Sequence, residues 1–242
     1  NTHGTLWSAM ILPFIEQGSL YQTLEFSEFR NWSTNGTPNE TAAGTEIPVF
    51  RCPSLPIAAA YNNSGIPQRR PASYRGNGGN EVTSDDRSTI VVPGTKSFEH
   101  LNLNGIFYAC SAVKFGMITD GTSNTFALGE SRTEPEFVKD GQGMDFWYIG
   151  SPQVDPCRCT GSNNGTEFSE AAGSTYMPMN LRIRDPGAHG RLMELSFGSY
   201  HTGGAHFGMC DGSVQFVSEN IDLTLYRNLG ARDDGESASI NP

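Results

Sequence analysis

The pair Asp211-Gly212 stands between two runs whose residues alternate in kind, Gly204 to Cys210 before it and Ser213 to Val217 after it. A two-residue Asp-Gly turn adopts the backbone geometry whose twist matches that of paired antiparallel strands, so this arrangement predicts a β-hairpin. In the first run Ala205, Phe207 and Met209 alternate with His206, Gly208 and Cys210; in the second Val214, Phe216 and Ser218 alternate with Gln215 and Val217. Asp222 is placed to cap a helix from Leu223 to about Asn228, which Gly230 would stop.

The rest of the chain is unsuited to a helical bundle. With 28 glycines, 14 prolines and 36% apolar residues among 242, helix interiors would be broken repeatedly. The fold class expected is α+β: an antiparallel sheet with short helices and long loops. Leu6 to Leu24 has apolar residues at helical spacing interrupted by Pro13, which predicts two short helices with Leu6, Ile11, Phe14, Ile15, Leu20, Tyr21 and Leu24 as packing face. Ile47 to Pro53 reads as extended, Gly105 to Ile118 and Asn124 to Gly129 as strands joined through a turn at Asp120 to Ser123, and Phe146 to Ile149 as a further strand. Polar stretches at about 25–46, 57–96 and 151–191 read as long loops within one domain over 1–242, and the tail at about 231–242 reads as flexible. Brief strand-like patches interrupt the second of these loops around Ser73-Tyr74 and Thr89 to Val92.

A net charge of -10 argues against nucleic acid as partner, because phosphate binding needs clustered Lys and Arg. No run of about 18 apolar residues is present to span a bilayer. Asn1-Thr2-His3 does not begin a signal peptide and reads as a cut end. The aromatics Trp7, Trp32, Trp147, Tyr148, Phe207 and Phe216 read as core, except that Trp32, in a polar loop, is a candidate contact for a neighbouring subunit or a glycan.

Cys52, Cys110, Cys157, Cys159 and Cys210 are the disulfide candidates, allowing two bridges and one odd thiol in an oxidising compartment. Cys157 and Cys159 lie too close to pair with each other comfortably; the alternative is a metal site using these two, Cys210 and a histidine. Asn31, Asn35, Asn39, Asn62 and Asn164 open Asn-x-Ser/Thr triplets and are glycosylation candidates. The loop from Asp120 to Asn124 offers oxygen ligands of the kind calcium takes, with Glu130 following; the competing reading is a turn in which Asp120 and Asn124 bond their own backbone. His201 and Asp211, with Ser199 nearby, invite a hydrolase reading, but the hairpin turn alone demands Asp211-Gly212, and no orienting acid or oxyanion hole is displayed. His201 precedes Gly203-Gly204 and is expected to anchor that loop through its ring.

Four ordered blocks carry a resemblance: LPFIEQGSLYQ at Leu12 to Gln22, VFRCPS at Val49 to Ser54, NGIFYACSAVKFGMITDGTSNTFALGES at Asn104 to Ser131, and SYHTGGAHFGMCDGSVQFVSENID at Ser199 to Asp222. The chain resembles the prepilin-type family of unknown function abundant in planctomycetes, whose members end in an H-x9-DG motif, here His201 to Gly212 with Gly203 and Gly204 inside it. That family is also filed under a solute-binding label. The resemblance implies a pilin- or pseudopilin-like head whose spine helix, the family's only membrane element, is missing from this chain. It further implies a non-enzymatic subunit of a surface filament or secretion-related complex, extracellular or on the cell surface after passage through the periplasm. Partners would be copies of itself or other pilin-like subunits. A binding module for a small solute or surface polysaccharide is the alternative, and calcium the one cofactor to consider.

Overall fold

The structure, a computed structural model, describes residues 7–26, 37–63, 66–85, 87–135, 144–147, 170–181, 192–236 and 238–240. Its helices are short: α1 (Trp7–Met10), α2 (Gly18–Thr23), α3 (Pro38–Ala43), α4 (Leu192–Leu195) and α5 (Leu223–Gly230). The strands are β1 (Tyr61–Asn63), β2 (Ile66–Arg69), β3 (Tyr74–Asn77), β4 (Val82–Ser84), β5 (Lys96–Ser97), β6 (Phe126–Glu130), β7 (Ala172–Gly173), β8 (Gly204–Met209) and β9 (Val214–Ser218). A central sheet has the order β7-β3-β6-β8-β9, and β1-β2 and β4-β5 form two small ribbons. This is the α+β class. The central sheet is antiparallel except where β7 runs parallel to β3. None of the described helices is long and apolar enough to cross a membrane.

The C-terminal hairpin forms as its alternation predicts. β8 and β9 pair in unbroken register from Gly204↔Ser218 to Gly208↔Val214. The turn is closed by Met209 N–H donating to the Ser213 carbonyl at 2.8 Å, so the loop is Cys210-Asp211-Gly212 rather than the expected two-residue Asp-Gly turn, with Gly212 at φ +87°. Asp222 caps α5 by accepting the Leu225 N–H at 2.9 Å. The inward residues of the hairpin meet α5 in a core of Phe126, Phe197, Phe207, Val217, Tyr226 and Leu229, in which the Phe126 and Phe207 rings stack at 4.2 Å.

Elsewhere packing overrides local reading. Within the polar 25–46 stretch, Thr37 accepts the Glu40 N–H and Pro38 occupies the first turn, so a Thr-Pro-Asn-Glu start makes α3 where a loop was expected. Ile47 to Pro53 is not extended throughout: Pro48–Phe50 is a 3-10 turn. The N-terminal stretch does break near Pro13, but into α1, a 3-10 turn Leu12–Ile15 and α2; Leu12 is buried and Phe14, expected on the packing face, is 85% exposed. Residues 57–96 supply β1 to β4 and the start of β5 rather than one long excursion. Gly105 to Ile118 is no strand: Ile106 and Phe107 both donate to the Asn77 carbonyl, and Phe107 packs against Trp7 while Phe115 is left exposed. Phe146 contributes a single bridge to Pro71. Gly230 lies inside α5, and the tail beyond it is fastened, since Arg232 donates to the Leu103 and Gly105 carbonyls and Ala238 is buried.

Two arginines are fully enclosed. Arg75 on β3 meets Asp145 through Nε–Oδ1 at 2.5 Å and Nη2–Oδ2 at 3.1 Å, and its remaining Nη1 donates to the Ser196 carbonyl. Arg69 on β2 forks onto Glu170 in the same way and lies 3.6 Å over the Phe146 ring. Asp145→Ala strands the Arg75 charge without its partner, so urea unfolding of this variant is expected to show a loss of about 3–5 kcal/mol.

Candidate functional site

Where β6 ends at Glu130, three remote segments converge. Register sets the first contact, because Tyr74↔Glu130 is a cross-strand pair of β3 and β6. The residue before Tyr74, Ser73, fixes the second segment: its hydroxyl accepts the Cys52 N–H at 2.9 Å, and its own N–H donates to the Phe50 carbonyl at 2.8 Å. Cys52 therefore hangs over the end of the sheet. The third segment is the loop entering β8, in which Ser199 accepts the His201 N–H at 3.0 Å and donates to the Gly204 carbonyl at 2.7 Å. Gly203 sits at φ +86°, and a Cβ on Gly204 would lie 2.0 Å from the Val217 carbonyl oxygen, so both glycines are needed to bring the loop down onto β9.

Glu130 is at the centre, its side chain only 5% exposed. Its Oε2 accepts the His206 backbone N–H at 2.7 Å and stands 3.2 Å from His206 Nδ1, while its Oε1 is 3.1 Å from His201 Nε2. Cys52 Sγ lies 3.7 Å from the same Nε2. The two imidazoles meet edge to face at 5.4 Å, and His206 rests on Phe216 of β9 at 5.1 Å. Burial, with the Glu130 carboxylate and the Cys52 thiol close by, pushes the Tyr74 phenol up. A small cleft lined by Cys52 and Glu130 and edged by Leu55, Ser73, Ser131, Ser199 and Tyr200 adjoins the site.

A cysteine, a histidine and a carboxylate invite comparison with a nucleophilic triad, but the wiring differs. A triad sets its nucleophile and its acid on opposite nitrogens of the imidazole, so that the ring passes a proton between them. Here Glu130 and Cys52 both address Nε2. What the arrangement offers is three donor atoms of different chemistry, all within 4.8 Å of one another.

The other sequence candidates are dispersed. Asp211 belongs to its own turn: Oδ1 accepts the Ser213 N–H at 2.8 Å and its hydroxyl at 2.7 Å, which holds the carboxyl below its usual range. It is separated from His201 by the whole of β8, a span of about 20 Å at the rise of a strand, so these two residues do not face a common cleft. Asp120 and Asn124 lie beyond the start of β6, at the opposite end from Glu130, which divides the calcium candidates. The Asp120 carboxylate accepts the Asp234 and Gly235 N–H groups at 2.8 and 3.1 Å, and Asn124 donates to the Asp120 carbonyl.

Among the cysteines, Cys110 is disulfide-bonded and Cys52 and Cys210 are free; Cys157 and Cys159 lie outside the described residues. Burial and Asp211 push the Cys210 thiol up to about 12. Asn39 is buried, with its amide holding both the N–H and the carbonyl of Glu25, so it is no glycosylation acceptor in this fold. Asn62 accepts from the Gln68 backbone at an exposed position; Asn31, Asn35 and Asn164, with Trp32 and Tyr148, lie outside the described residues.

Sequence reasoning named Cys52, Glu130 and His201 for separate roles and missed their meeting, as it missed the part of His206. The signal available was that the end of NTFALGES and SYHTGGAH each place a polar residue at or near a strand terminus, whereas nothing near VFRCPS marks Cys52, which follows a 3-10 turn. The family model described as "Protein of unknown function (DUF1559)" matches residues 1–224. No curated protein and no solved structure matches the chain.

Because both Asp120 oxygens are occupied by the tail, Asp120→Ala is expected to cost about 1–3 kcal/mol in urea unfolding and to expose the segment after Ala231 to limited proteolysis. Calcium at millimolar concentration should leave the wild-type melting temperature unchanged.

Proposed function

Since the chain belongs to the family described as "Protein of unknown function (DUF1559)", we propose that it is a non-enzymatic extracellular assembly protein, a pilin- or pseudopilin-like head that joins copies of itself through the open edge of its central sheet. The observation that carries this reading is the state of β9. It has β8 on one side and, among the described residues, no strand on the other. Edge strands of isolated domains are guarded by lysines, prolines or bulges, because unpaired N–H and C=O groups invite another strand. β9 carries none of these in its Val-Gln-Phe-Val-Ser sequence, pairs without a bulge, and leaves Val214 69% and Phe216 47% exposed. A regular, apolar, unguarded edge is suited to strand addition by a second chain.

Two further features support the reading. The disulfide at Cys110 fits an oxidising compartment. The shared ring nitrogen at His201 lacks the relay that a Cys-His-acid hydrolase needs.

The test is light scattering across a concentration series, on purified protein and on native material, with the double variant Val214→Lys, Phe216→Lys as comparison. Wild-type protein is expected to form ordered oligomers and the variant to stay monomeric with its unfolding free energy within about 0.5 kcal/mol of wild type. Native material consisting only of free monomer, or a variant that assembles like wild type, overturns the proposal.

A further inference from the structure

We infer that Cys52, Glu130 and His201 are the protein ligands of a divalent transition-metal site of the zinc class, a property separate from the assembly reading above. Zinc holds thiolate sulfur at about 2.3 Å, imidazole nitrogen at about 2.0–2.1 Å and carboxylate oxygen at about 2.0–2.2 Å in tetrahedral array. Those lengths and angles place sulfur and nitrogen about 3.6 Å apart, and nitrogen and oxygen about 3.3 Å apart. The corresponding separations here are 3.7 Å from Cys52 Sγ to His201 Nε2 and 3.1 Å from His201 Nε2 to Glu130 Oε1. One ion would lie about 2 Å from Nε2, among three donor atoms that all fall within 4.8 Å of one another.

The donor set selects the metal. Calcium and magnesium take oxygen ligands, whereas a thiolate with an imidazole suits zinc and its first-row neighbours. The surroundings have the form of a supporting shell. Glu130 presents Oε1 to the site while Oε2 is held by the backbone and ring of His206, the sort of outer contact that orients a ligating carboxylate. The Cys52 and His201 backbones are each held by a serine hydroxyl, from Ser73 and Ser199. Three protein ligands leave a fourth position, and two of them, Cys52 and Glu130, line a cleft together with Leu55 and Tyr200. The His201 side chain, 35% exposed, leaves a way in.

The experiment uses the full chain, stripped with chelator and titrated with zinc, then with cobalt as a spectroscopic substitute. One equivalent is expected to bind, with a thiolate-to-cobalt charge-transfer band that Cys52→Ser abolishes. Cys52→Ser and His201→Gln should each weaken zinc at least ~100-fold, and His206→Gln by ~10–100-fold, while Cys210→Ser binds as wild type. Wild-type protein supplies a readout independent of variant folding: saturating zinc should protect Cys52, located by mass spectrometry, from alkylation. Alkylation of Cys52 at an unchanged rate under saturating zinc, or wild-type affinity in a folded Cys52→Ser protein, overturns the assignment. The oligomeric state of these samples is read separately, so failure of the metal site and failure of the assembly reading are distinguishable.

Discussion

Two guanidinium groups withdrawn from water set the terms for everything around them. A buried arginine stays charged, so each must bring an anion into the interior with it. Arg75, at the middle of β3, reaches Asp145 and the Ser196 carbonyl; Arg69, at the end of β2, reaches Glu170. The consequence is topological. Short segments with little regular structure, around Asp145 and between Glu170 and Ser174, are fastened to β2 and β3 by these ion pairs together with buried neighbours such as Phe146, Trp147 and Ala171. β7, only two residues long, joins β3 at the place this anchoring provides.

The same economy governs the end of the neighbouring strand, one residue along the register from Arg75. Glu130 ends β6 and serves three neighbours at once, a backbone N–H and two imidazoles, while the hydroxyls of Ser73 and Ser199 orient the chain on either side. Every group at the site is therefore positioned by strand register together with one local hydrogen bond. That is a rigid arrangement for a region made mostly of loops. It also places the site next to β9, since His206 rests on Phe216, whose ring is half out in solvent on the open edge. Local chemistry and lateral contact share one corner of the molecule.

What could be read from the chain followed how local the determining physics was. The β8–β9 hairpin and the capped helix after it depend on turn geometry and on an Asp222 side chain bonding its own backbone, so residues near in sequence suffice. Helix α3 was legible in the same way through Thr37, Pro38 and Glu40, but the polar composition around it outweighed that signal. Gly105 to Ile118 misled for the opposite reason. Its Phe107 packs against Trp7 and its Ile106 and Phe107 N–H groups serve Asn77, a residue far away in the chain, while Phe115 stays exposed. The site belongs to this second kind. Cys52, Glu130 and His201 meet only because three strands and two serines bring them together, and nothing within a short window of sequence records that.

The order of strands in the central sheet also has a consequence in time. Tyr74 pairs with Glu130, Gly129 with Phe207, and Ala205 with Val217, so no two strands of the sheet that neighbour each other are close in sequence except the last pair. A chain emerging from its amino end exposes β3 and then β6, and the sheet gains its shape only when the final hairpin arrives. Because that hairpin forms locally and quickly, it is the natural template on which the earlier strands assemble. A truncation that removes the hairpin would leave β6 without its β8 neighbour and Phe126 without the Phe207 and Val217 it packs among, offering an unpaired strand to proteases and chaperones rather than a smaller folded protein.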